Sequence, residues 1–210
     1  NTAVTTSKKD ITLGEVGVMT TVTDLALNYS KQNVISDIGR LFGEAIAKKI
    51  DQDLTGLFSG FSTFALGNAT DTQSEMTAAH LFAAAAKLKN SGVPGPYFGV
   101  FNPASIFNMK KTMTSTFIPQ GNTGVVNAAM TEGYVGRIAG IDIFETSNVV
   151  ADSATSAVNG VFSRDALAMA MGSDLKIATQ RDESLRATEV VATAVYGVSE
   201  LHDSYGVQIP

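Results

Sequence analysis

The sequence predicts an α+β fold, and three observations predict it. A long amphipathic helical run lies between Asn33 and Phe58, a long β-branched run lies between Arg186 and Ser199, and a glycine-punctuated middle alternates helix, strand and helix. At ~1.5 Å per residue the helix reaches roughly 39 Å, and at ~3.3 Å per residue the extended run reaches roughly 43 Å. Two elements of such similar reach are expected to lie side by side.

Residues 1–9 are rich in Thr, Ser and Lys and read as an extended lead-in. From Asp10 to Leu27, Ile11, Leu13, Val16, Val18, Met19, Val22 and Leu25 with threonines interleaved predict a strand, and Gly14 and Gly17 predict a bulge within it. Val34, Ile35, Ile38, Leu41, Phe42, Ala45, Ile46, Ile50, Leu54, Leu57 and Phe58 then recur every three or four residues, the period of a helix that buries one face. Its other face pairs Asp37 with Arg40, Arg40 with Glu44, Glu44 with Lys48 and Lys49 with Asp53. At i,i+3 or i,i+4 spacing each pair contributes about 0.2–0.5 kcal/mol.

A second helix is predicted from Ser74 to Lys89, with Leu81, Phe82, Ala85, Ala86 and Leu88 as its apolar line and Asn90-Ser91-Gly92 and Pro94 as its stop. Tyr97 to Phe101 reads as a buried strand. Asn102-Pro103 then supplies an N-cap and a proline at the first helical position for a helix from Ala104 to Met113. Thr116 to Asn127 and Ser147 to Asn159 read as loops on either side of strand-like runs between Tyr134 and Phe144. Arg164 to Met171 is expected to be a short helix, Leu175 to Thr179 a strand, and Gln180 to Ser184 a polar turn. Beyond it Thr188, Val190, Ala192, Ala194 and Tyr196 share one face, the alternation of a half-buried strand.

The 210 residues carry 15 Lys and Arg against 20 Asp and Glu, a net charge of −5, without the basic stripe of a dedicated nucleic-acid binder. A chain of this length removes roughly 70% of its extended surface from water, so it builds a core without disulfides or metals. The absence of cysteine excludes a thiolate nucleophile, a cysteine-bound zinc and an iron–sulfur cluster, and fits cytosolic folding. No apolar stretch approaches the ~20 residues of a membrane helix. The opening Asn1-Thr-Ala-Val lacks the basic-then-apolar order of a signal peptide. Because Asn1 is not an initiator methionine, a processed product or part of a longer chain is expected.

The chemistry-bearing residues do not assemble into a motif. His80 sits in an alanine-rich helix, and His202 adjoins Asp203, a neighbour that seldom faces it. Asp51 and Asp53 fall inside the long helix, where i and i+2 point roughly 200° apart and cannot share one ion. Gly133, Gly136 and Gly140 match neither a dinucleotide fingerprint nor a P-loop. The sequons at Asn28 and Asn68 are of the kind a Ser/Thr-rich chain produces by chance. Neither a catalytic residue, nor a cofactor, nor a metal site is assigned.

Several longer stretches carry a resemblance. They are Glu15-Val-Gly-Val-Met-Thr-Thr-Val-Thr-Asp24 leading into Ile38-Gly-Arg-Leu-Phe-Gly-Glu-Ala-Ile-Ala-Lys-Lys-Ile-Asp51, then Arg137-Ile-Ala-Gly140-Ile-Asp-Ile-Phe-Glu-Thr-Ser-Asn148-Val. Val158-Asn-Gly-Val-Phe162-Ser-Arg-Asp165-Ala-Leu-Ala-Met-Ala and Leu175-Lys-Ile-Ala-Thr-Gln-Arg-Asp182 follow. In this order, from about Asp10 to Ile209, they resemble the major capsid proteins of tailed bacteriophages.

The resemblance implies the Hong Kong ninety-seven-type fold. Residues 1–30 would be an extended strand region after an N-terminal arm and loop lying upstream, and residues 31–66 the spine helix of a peripheral domain. Residues 67–172 would form an axial α/β domain, residues 173–200 the peripheral β-hairpin, and residues 201–210 a return to the axial domain, with Thr116 to Asn127 near the capsomer axis. The implied function is self-assembly into an icosahedral head around double-stranded DNA, with an encapsulin-like bacterial compartment shell as the alternative.

The implied partners are copies of the chain itself in hexamers and pentamers, portal, scaffold or decoration proteins, and packaged DNA held without sequence-specific binding. No membrane partner is implied. Arg40, Glu44, Lys48 and Lys49 are candidates for salt-sensitive contacts between subunits, against the alternative of plain solvation. The implied location is the virion, assembled in the host cytoplasm. Competing readings are an enzyme using carboxylates with Tyr134 or Tyr196, and an Ala/Ser/Thr-rich adhesion module.

Overall fold

The computed structural model describes residues 8–30, 33–66, 76–116, 136–149 and 157–209. In chain order the elements are β1 (Gly14–Thr23), α1 (Asp24–Tyr29), α2 (Val34–Gly56), α3 (Ala78–Asn90), β2 (Tyr97–Phe101), α4 (Pro103–Thr116), β3 (Arg137–Ile138), β4 (Ile141–Glu145), β5 (Asn159–Ser163), β6 (Leu167–Asp182), β7 (Ala187–Glu200) and β8 (Gly206–Ile209). A short 3₁₀ turn, Leu57–Gly60, continues α2. The chain divides into two units, residues 1–51 with 168–199, and residues 52–167 with 200–210.

The first unit is a three-stranded sheet in the order β1–β7–β6 with α2 on one face. The period-2 alternation of β7 turns Val190, Ala192, Ala194 and Tyr196 toward that face, where they pack with Phe42 and Ile46 of α2 and with Val16 and Val18 of β1. The long helix and the long strand therefore lie together, as their lengths suggest. At Gly39 and Gly43 α2 passes over β6 at ordinary contact distance. A Cβ on either would come 3.8 Å from Ile177 Cδ1 or Leu175 Cδ2.

Three expectations change here. The pairing of β1 with β7 runs one to one from Gly14↔Tyr196 to Thr23↔Ala187, so Gly14 and Gly17 make no bulge. A Cβ at Gly17 would sit at about contact distance, 3.4 Å, from Ala192 O and Thr193 Cγ2. The strand expected to reach Leu27 stops at Thr23, whose Oγ1 accepts from the Ala26 N–H at 3.4 Å and starts α1. The helix expected from Arg164 to Met171 is instead a tight turn closed by Ala166 N–H to Ser163 O at 3.0 Å, followed by the start of β6. Leu167-Ala-Met-Ala-Met171 alternates large and small, and pairing with β7 overrides the helical propensity of those residues.

The second unit holds a five-stranded sheet in the order β3–β4–β2–β5–β8. β2 pairs parallel with β4, and the other pairs are antiparallel. Ala139 and Gly140, with φ of 56° and 86°, turn β3 back into β4. Leu81, Ala84, Ala85 and Leu88 of α3 and Ile106 and Met109 of α4 pack on Tyr97, Phe101, Ile141, Val161, Val207 and Ile209. Phe58 and Phe61 form a second core with Val149, Ala157 and Ala166. The Phe58 ring lies so close to Gly160 that a Cβ there would come within 2.7 Å.

Strand β2 and the N-cap at Asn102 stand where the sequence puts them, with Ala104 N–H donating to Asn102 Oδ1 at 2.9 Å. The second predicted helix begins later, at Ala78, and residues 74–75 lie outside the described residues. The loop expectations over residues 117–127 and 150–156, and Tyr134, also lie outside them.

Candidate functional site

On α2, Arg40, Glu44 and Lys48 advance by only about 40° per four residues and form one outward stripe, whereas Lys49 falls about 180° from Arg40. All four are exposed. Arg40 Nη1 meets Glu44 Oε1 at 2.6 Å. Glu44 thus turns back to Arg40, and Lys48 makes no ion pair among the described residues. Lys49 keeps a partner of its own. Leu41 lies on the same arc as the stripe and is 52% exposed, an apolar side chain among charges on the face opposite the Phe42–Ile46 core.

A tighter charged cluster, not singled out in the sequence, closes the end of the three-stranded sheet. Arg181 Nη1 and Nη2 donate to Asp24 Oδ1 and Oδ2 at 2.7 and 2.9 Å, and Arg181 Nε donates to Glu183 Oε1 at 2.8 Å. The Asp24 N–H also donates to Arg186 O at 3.0 Å. Hydrogen bonding from Arg181 holds the Asp24 carboxyl below its ordinary 3.8, helped by the Arg181 and Arg186 charges and opposed by partial loss of hydration. The same bonds, first from Asp24 and then from Glu183, raise the Arg181 guanidinium above its usual range. Asp182 is lowered by the Ser184 hydroxyl and by the backbone of Leu185. Asp24 directly after a capping threonine was a signal for α1, but nothing local announces a partner 157 residues away.

In the second unit the histidines have structural surroundings. His80 is buried, and its Nδ1 lies 3.1 Å from the Thr77 N–H that it accepts. The His202 ring lies tilted against Tyr205 with centroids 5.0 Å apart, while Asp203 turns away to accept from the Ser62 N–H at 2.7 Å and from the Ser62 hydroxyl. Tyr196 is buried in the core under α2. Asp51 is exposed and Asp53 half-buried on α2, and among the described residues no group of three or more acidic or histidine side chains could hold a metal ion. Asn159 is a fully buried polar side chain with three partners of note. Its Nδ2 donates to Ser105 Oγ and Ala157 O, both at 2.9 Å, and its Oδ1 accepts from the Asn102 N–H at 2.8 Å. This network ties the start of α4 to β5. The arrangement is one of braces and surfaces.

Comparison with known proteins agrees. The profile of a family described as phage capsid protein matches residues 6–208. No curated protein matches the sequence. Among solved structures, a chain from Mycobacterium phage Che8 superposes with a TM-score of 0.74 at 19% identity, over 98% of this chain and 76% of that one. The capsid of cyanophage P-SCSP1u gives 0.74 at 17% identity, over 95% and 72%. The holo-SrpI encapsulin complex from Synechococcus elongatus PCC 7942 gives 0.64 at 12% identity, over 94% and 73%. At these identities the likeness is one of fold, and it is the α+β fold of Hong Kong ninety-seven-type capsids.

Proposed function

The chain belongs to the phage capsid protein family and is a structural subunit of an icosahedral shell built from its own copies, and from that premise we propose that the shell is the head of a tailed phage around double-stranded DNA. The observation that carries this reading is the family match over residues 6–208. The unit holding α2 and the β6–β7 hairpin serves as the peripheral domain, and the unit holding the five-stranded sheet serves as the axial domain. Arg40, Glu44, Lys48 and Lys49, with exposed Leu41 among them, meet neighbouring subunits. Portal, scaffold or decoration proteins meet the assembled lattice. The chain's net charge of −5 leaves packaged DNA weakly held and free of sequence preference. Assembly takes place in the host cytoplasm, and the contribution is mechanical, with no reaction assigned.

Light scattering of the intact protein followed by electron microscopy tests this reading. Closed shells with one portal vertex and DNA inside support it. A strictly monomeric protein under all assembly conditions overturns it. The likeness to the encapsulin complex favours a second reading, a compartment shell. In that case the same images would contain protein cargo and no portal.

A further inference from the structure

Sheets recruit partners through open edges, so the edges of both sheets matter. In the five-stranded sheet β3 has only two residues, and the outer edge of β8 is taken by Thr63–Ala65 through Ala65 N–H to Gln208 O at 3.0 Å and Gln208 N–H to Thr63 O at 2.8 Å. In the three-stranded sheet β6 is an outer strand of 16 residues, and residues 174–181 are all exposed. No described strand covers its outer edge. Such a strand is usually shielded by like charges, proline or a bulge. Here the charges have another geometry. Asp174 and Lys176 flank Leu175, and neither makes a side-chain hydrogen bond or ion pair among the described residues.

We propose that β6 pairs antiparallel with β6 of a second copy, about a two-fold axis normal to the sheet through Leu175. This rests on the shell reading and names the edge by which two subunits join. In that register Asp174 of each strand stands opposite Lys176 of the other, so both charges are matched twice over. Leu175 meets its own counterpart, which covers the outward part of a side chain now 41% exposed. Registers centred nearby serve worse. One, centred on Ala178, places Asp174 opposite Asp182, and another, centred on Thr179, uses Asp182 for Lys176 although Asp182 already accepts from the Ser184 N–H and hydroxyl. α2 packs on β7 and also reaches over β6 at Gly39 and Gly43, so the two helices come near each other across the axis. The product is a continuous six-stranded sheet with both α2 helices on one side.

The chain has no cysteine, so single thiols report the register directly. In particles assembled from the intact protein, Leu175→Cys places two Cβ atoms about 5 Å apart and is expected to yield covalent dimers on oxidation or with a short thiol cross-linker. Thr179→Cys places them roughly 26 Å apart and is expected to yield none. Asp174→Lys and Lys176→Asp each set like charges opposite one another and lower particle yield by about tenfold, whereas the double exchange restores it to within about twofold. Particles that form normally from Leu175→Cys but give no dimers overturn the proposal and leave the shell reading intact, as do single charge reversals that assemble like the unaltered protein. Failure of the unaltered protein to form particles overturns the shell reading itself, and the proposal falls with it.

Discussion

Arg181 holds Asp24 in a two-pronged grip, Nη1 to Oδ1 at 2.7 Å and Nη2 to Oδ2 at 2.9 Å, across the end of a sheet beside the ends of whose two outer strands these residues stand. The pair stands half in water, so its worth lies in geometry more than in energy. It fastens the last residues of β6 to the first turn of α1, with β7 between them.

Acid is expected to loosen that end first. The Asp24 carboxyl, lowered chiefly by hydrogen bonds from Arg181, and the Asp182 carboxyl, lowered chiefly by the Ser184 hydroxyl, both titrate below their unfolded value of 3.8. A group lowered in this way contributes stability above the unfolded value, and that contribution is lost as pH falls through the folded value. Hydrogen exchange across residues 182–187 should therefore show protection that holds above about pH 4 and falls below it. Asp24→Asn should remove much of that pH dependence. Equal protection across the range would refute the assignment.

Phe42→Ala is expected to cost about 3–5 kcal/mol, because the ring is buried between α2 and β7 and the neighbouring backbone cannot collapse into the space. Leu41→Ala, one residue away on the exposed arc, should cost under about 1 kcal/mol. Urea titration of both variants compares them, and similar midpoints would contradict the facing of α2.

Asn159→Leu keeps the volume and removes every bond of the buried amide. The Asn102 N–H and the Ala157 carbonyl each lose a partner at a dry site, at about 1–3 kcal/mol for each group left unsatisfied. Thermal melting followed by circular dichroism should show a large drop. A variant as stable as the parent would mean that the network is decoration.

Arg40→Glu breaks an exposed pair and should change fold stability by no more than about 0.5 kcal/mol. In the proposed interface it should nevertheless shift the salt concentration at which particles form, read by light scattering across a salt series. Unchanged assembly would remove Arg40 from the contact.

Periodicity made much of the architecture legible. The apolar spacing that runs from Val34 to Phe58, the strand Tyr97–Phe101, the Asn102 cap and the alternation from Thr188 to Tyr196 all record burial on one side of a local element, and each is found close to its expected place. The failures have a common cause. Leu167 to Met171 has helix-forming residues in a strand's alternation, and a partner strand decided between the two. Arg40, Glu44 and Lys48 could be placed on one stripe, but which of them pair could not be read, since Glu44 had acceptable partners on both sides.

By itself the sequence determined the periods of the elements, the side each would bury and the order in which they follow, because these depend on residues within a few positions of one another. Tertiary structure alone decided that Arg181 meets Asp24, that Asn159 meets Ser105, and that the edge of β8 is covered while no described strand covers that of β6. Those outcomes depend on which distant segments arrive first as neighbours in space, and a polar side chain or an unpaired backbone carries no mark of its partner until the chain has closed around it.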